Sequence, residues 1–260
     1  ALAQNPTLFP AKFNLAATES RLGNVETSNQ LIEELLTFSP QHNETLMLKA
    51  FNLTKAGKVD EAKQIYLDLL TLTPSNSGAR ERVSSLYQQQ GDIKNALYHL
   101  DLLIKDDFDN ADYLLRKAAL QLGNNQRADA EKTLSIVRNF INDDAGKLIA
   151  YADQARNIGD SEGALNAMAR AHDIANTSTF VTLRYTSLLL DLQKNDKAQS
   201  LLATVPANQQ QNPVYHFLKG RLAANKGNDE SAINAFEKAL EVDASFAQAF
   251  VAIYNYALND

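Results

Sequence analysis

Residues Ser77–Lys105 read SGARERVSSLYQQQGDIKNALYHLDLLIK, two amphipathic segments on either side of Gly91 and Asp92. In the second segment Ala96, Leu100 and Leu103 follow one another at steps of four and three, which is one face of an α-helix. Glycine takes left-handed dihedrals without a Cβ clash and so marks a helix end. The stretch folds as helix, turn, helix.

Working outward, Ala96 belongs to a column. A small residue returns every 34 positions: Ser28, Ala62, Ala96, Ala130, Ala164, Ala198 and Ala232. Four residues after each stand Ile32, Tyr66, Leu100, Leu134, Met168, Leu202 and Phe236, and three further on Leu35, Leu69, Leu103, Val137, Ala171, Val205 and Ala239. Twelve residues before each anchor lie Ala16, Ala50, Ser84, Ala118, Ala152, Thr186 and Gly220. The chain is 45% apolar. One fully apolar column of seven then arises by chance roughly once in a few hundred trials. Two such columns in register with two small ones are not chance. The turn column carries Gly23, Gly57, Gly91, Gly159 and Gly227, with Asn125 and Gln193 in the remaining two repeats. Pro6, Pro40 and Pro74 follow second helices, which proline cannot continue. Small side chains are required where antiparallel helices approach to about 8–10 Å.

A small residue, a glycine turn, an A-x-x-x-(aromatic or Leu) pattern and a closing proline at a 34-residue period resemble the tetratricopeptide repeat, most clearly in GNDESAINAFEKALEVDASFAQAF, Gly227–Phe250. The family's first-helix Trp is missing, and Ala or Thr replaces its Gly. The resemblance implies an all-α fold, an α-solenoid of antiparallel helix hairpins wound as a right-handed superhelix. It divides the chain into repeats 9–42, 43–76, 77–110, 111–144, 145–178, 179–212 and 213–246, with partial repeats at 1–8 and 247–260. The unfinished ends read as a piece of a longer array; a last helix that serves as the cap is the alternative. A softer joint is expected at 206–213, between Pro206 and Pro213.

Chemistry is sparse. His42, His99, His172 and His216 fall in different columns and form no H-E-x-x-H pair; no phosphate loop, dinucleotide fingerprint or nucleophile elbow occurs. Asp106, Asp107 and Asp109 lack the glycine and distal Glu of a calcium loop, and read as a turn with an N-cap. No catalytic residue, metal or cofactor is expected. A net charge of −6 argues against nucleic acid, whose phosphates need clustered Lys and Arg. No run approaches the length of a membrane span. The absence of cysteine excludes disulfides and thiolate metal sites but leaves the compartment open.

The resemblance implies that the first helices line a concave groove. Its exposed columns would place Arg82, Arg116, Arg156, Arg184 and Arg221 beside Phe51, Leu115 and Leu183, suited to a protein or peptide with an acidic segment. Inter-repeat packing for the leucines and solvation for the arginines is the competing account. The carboxylate clamp of chaperone-binding members is not present, since Phe13, Met47 and Glu81, with Ala17 and Phe51, occupy its positions. The chain reads as a non-catalytic scaffold; the alternative is a regulatory or substrate-presenting arm of a larger enzyme. A fainter resemblance, in Leu35, Leu36, Pro40 and Leu69, Leu70, Pro74, is to long bacterial repeat lipoproteins of the PEP-CTERM and exopolysaccharide type, implying the cell envelope. Oligomeric state is not legible.

Overall fold

The structure, a computed structural model, describes residues 8–257. Those residues form fifteen α-helices and one short 3-10 turn, with no strand among them. The fold is all-α, of the α-solenoid class built from antiparallel helix hairpins. The sequence expectation at 1–8, including Pro6, falls outside the described residues except for Leu8.

The chain divides into two compact units, 1–124 and 125–260. The first holds α1 (Leu8–Leu22), α2 (Val25–Phe38), α3 (Asn43–Lys55), α4 (Val59–Leu72), α5 (Ser77–Gln89), α6 (Ile93–Asp106) and α7 (Ala111–Gly123). Here α1 pairs with α2, α3 with α4 and α5 with α6, and α2, α4 and α6 each pack on the helix that follows. The second holds α8 (Arg127–Phe140), α9 (Ala145–Asn157), α10 (Ser161–Ile174), α11 (Thr179–Asp191), α12 (Asn195–Ala203), α13 (Pro213–Asn225), α14 (Asp229–Val242) and α15 (Ala247–Ala257). Its hairpins are α9/α10, α11/α12 and α13/α14, with α11 against α13 and α14 against α15.

The small columns are the hairpin seams. Ser28, Ala62, Ala96, Ala130, Ala164, Ala198 and Ala232 are all 0% exposed. Where serine occupies a seam, the helices lie close enough for its hydroxyl to reach the opposite backbone: Ser28 Oγ donates to the Ala16 carbonyl at 2.8 Å and Ser84 Oγ to that of Ala96 at 2.9 Å. The seam residues also match in size across a hairpin. Gly220 faces Phe236, and a Cβ at Gly220 would lie within 3.0 Å of three ring carbons.

Every turn position expected to be left-handed is so. The five turn glycines have φ between 74° and 88°, and Asn125 (59°) and Gln193 (56°) adopt the same region despite their side chains. A capping column runs at the same period. His42, Asn76, Asn110, Asp144, Ser178 and Asn212 each accept a backbone N–H of the first helix that follows. The cap beside the acidic run is Asn110 rather than an aspartate, and Asp107 receives its amide at 2.8 Å. His99 is only 8% exposed, a core residue rather than a solvated one.

Candidate functional site

The eight groove residues read from sequence separate into two sets. In the first unit, Phe51 and Arg82 line a concavity of about 520 Å³ on the first helices, with Phe13, Met47 and Tyr66. Phe51 is half-buried under the Lys55 ammonium, 5.6 Å from its ring centre, and Lys55 in turn donates to the Ser20 carbonyl. Asn52, 1% exposed, supports this wall from behind by donating to Ser28 Oγ and Asn29 Oδ1. Arg82 is exposed and forms no ion pair among the described residues.

Arg116 lies apart from that concavity. Its guanidinium donates to Ser84 Oγ at 3.2 Å and Gln88 Oε1 at 3.3 Å, and burial holds its pKa below the ordinary value, opposed by Glu81. Glu81 also accepts the Tyr113 hydroxyl. Burial and that carboxylate push the tyrosine up to about 12. Leu115 is 6% exposed and belongs to the core, the competing account of its column.

In the second unit α9, α11 and α13 enclose a concave space of about 550 Å³, to which Arg156, Leu183 and Arg184 contribute. Its floor is apolar, made by Met168, Leu183, Leu188, Phe217, Leu218 and Phe246. Its charges are laced together. Asp153 pairs with Arg184, while Asp191 bridges Arg156 at 2.8 Å and Arg221 at 2.6 Å. Arg221 also donates to Ser187 Oγ at 3.2 Å. Three guanidinium groups thus meet two carboxylates, leaving one positive charge in excess. The five side chains keep between 25% and 46% of their surface exposed, so the network is open to solvent and to a partner. Arg184 Nε is buried without an acceptor among the described residues, and its guanidinium lies 5.6 Å from the ring centre of Phe180, itself 62% exposed. Sequence reasoning found the arginines but not their pairing with Asp153 and Asp191.

Two tetratricopeptide-repeat family profiles match, over residues 159–222 and 214–246. Residues 159–246 carry tetratricopeptide repeats. Solved structures extend the likeness along the chain. A tetratricopeptide repeat protein of Parabacteroides merdae aligns at 14% identity and TM-score 0.62, covering 95% of this chain and 98% of that one. The C-terminal part of a repeat-containing protein of Cytophaga hutchinsonii aligns at 11% and 0.69, covering 92% and 98%. YrrB, described as a TPR protein with an unusual peptide-binding site, aligns at 15% and 0.56, covering 72% and 96%. At these identities the likeness is one of fold. No curated protein matches the chain by sequence. Tetratricopeptide repeats are generally non-catalytic scaffolds for protein–protein interaction. Among the described residues no helix is long and apolar enough to cross a membrane.

Proposed function

We propose that the chain is a non-catalytic scaffold that holds a protein or peptide against the first-helix faces of its repeats, parsed as 9–246 in steps of 34. The observation that carries this reading is the second unit's concavity, an apolar floor rimmed by Arg156, Arg184 and Asp153, with Asp191 and Arg221 joined to the rim through Arg156. Apolar anchors surrounded by forked cations suit a segment that mixes large side chains with carboxylates. In the first unit Arg82, with no carboxylate of its own, and Phe51 offer the same two chemistries on a smaller scale. YrrB, of the same fold, is described as having a peptide-binding site, which agrees with this assignment.

The test is capture of partners from the native organism, identification by mass spectrometry, and titration of the captured partner with variants. Arg156→Glu and Arg82→Glu, each checked for intact helicity, should weaken binding by about tenfold or more. Unchanged affinity in both variants would remove the groove from consideration.

A further inference from the structure

Among the described second helices, α12 is the short one. It has 9 residues where α2, α4, α6, α8, α10 and α14 each have 14. Ile174 ends α10, and the equivalent position 34 residues later is Asn208, yet α12 stops at Ala203. Pro206, at φ −60° and ψ 146°, turns the backbone out of the helix into the single 3-10 turn Ala207–Gln209. The loop that follows then runs past the concavity, with Gln209 and Asn212 lining it alongside Phe180, Val214 and Phe217.

This wall offers polar groups. Gln210 Nε2 donates to the Val205 carbonyl at 3.0 Å, tying the loop to the end of α12. Asn212 spends its oxygen on the Val214 N–H at 2.9 Å, which leaves its amide N–H groups for another acceptor. Across the space are the exposed Phe180 ring, the T-shaped pair Phe217 and Phe246 (5.6 Å between centroids), and the excess guanidinium charge. Aromatic rings favour edge-on and offset aromatic neighbours. The volume, about 550 Å³, falls within the 300–1,000 Å³ typical of ligand pockets.

The geometry points to a seat for one aromatic side chain of an acidic, extended peptide segment. The ring enters between Phe180 and Phe217, a flanking carboxylate meets Arg156 or Arg184, and the amides of Gln209 and Asn212 bond the segment's main chain. This inference rests on the proposed binding role of the same face. It adds that the shortened α12 and its loop set which partner fits. The argument for an acidic occupant is charge complementarity: one excess cation at the site in a chain of net charge −6.

The experiment is a methyl-detected NMR titration of the whole chain with three short synthetic peptides. One has phenylalanine flanked by aspartates, one has alanine flanked by aspartates, and one has phenylalanine flanked by lysines. The first should shift the methyls of Leu183, Leu188 and Val214 saturably, and the other two should bind about thirtyfold more weakly. Val214→Phe, which fills the seat, should abolish the shifts of the Leu183 and Leu188 methyls. Gln209→Ala, on an exposed loop where folding is not at stake, should weaken binding several-fold. Equal affinity for the alanine or lysine peptide, or full affinity in both variants, overturns the seat. The groove reading is judged separately, by whether Arg156→Glu releases the captured partner.

Discussion

Replacing Gly220 with alanine sets two effects against each other. Gly220 is in the interior of α13, where alanine favours the helix by about 1 kcal/mol. The added methyl, however, would lie within 3.0 Å of three ring carbons of Phe236. That ring is 2% exposed and is hemmed in by Phe217 at 5.5 Å and Tyr256 at 6.4 Å between centroids, so it has nowhere to turn. Overpacking of this kind costs roughly 1–3 kcal/mol. With the upper part of that range expected for a ring so confined, the balance is a net loss of about 1–2 kcal/mol. Urea unfolding followed by far-ultraviolet circular dichroism measures it. The companion variant Phe236→Leu makes the cause specific: alone it is destabilising, but in the double variant the methyl should cost nothing, giving a favourable coupling of about 1 kcal/mol or more. A neutral or stabilising Gly220→Ala, or strict additivity in the cycle, would refute the claim that seam size fixes the distance between α13 and α14.

Three further outcomes are expected. Gln193, at φ 56°, is in the left-handed region that glycine occupies in five equivalent turns, so Gln193→Gly should raise stability by up to about 1 kcal/mol in the same urea assay. Burial, and secondarily Arg80, hold the pKa of His99 below its ordinary 6.5. The folded protein therefore binds fewer protons than the unfolded chain once pH drops below about 6.5, and stability should decline from there until the folded imidazole also protonates. A pH series of urea midpoints should show that slope and lose much of it in His99→Leu. Finally, hydrogen exchange should find low protection at Ala207–Asn212, where one 3-10 turn replaces helix, and protection equal to that of the flanking helices would remove the softer joint.

The hairpins were legible because their causes are local and periodic. A 0%-exposed seam tolerates few side chains, and a left-handed turn favours glycine, so Ala62, Ala96 and Gly91 announce themselves in the letters. Pro206 likewise marked the place where α12 fails, though not that the released loop would line a concavity. The capping column from His42 to Asn212 has the same period and was open to the same reading. The ion network was hidden for a different reason. Asp153 meets Arg184 and Asp191 meets Arg221 across neighbouring helices, at sequence separations of 31 and 30, one 34-residue repeat less about a helical turn. Such pairs depend on how far each side chain reaches over the packed surface. The burial of His99, stacked 5.7 Å from Tyr87, is a similar outcome of three-dimensional packing.

Gly220 and Phe236 stand sixteen positions apart on one hairpin, and so travel together. A genetic crossover in a loop between hairpins hands a new neighbour both the notch and the ring that fills it. A crossover at the glycine turn divorces them, leaving either a void or a collision. Lengthening or shuffling an array of this kind therefore succeeds in whole hairpins, with each duplicated module bringing its own matched seam.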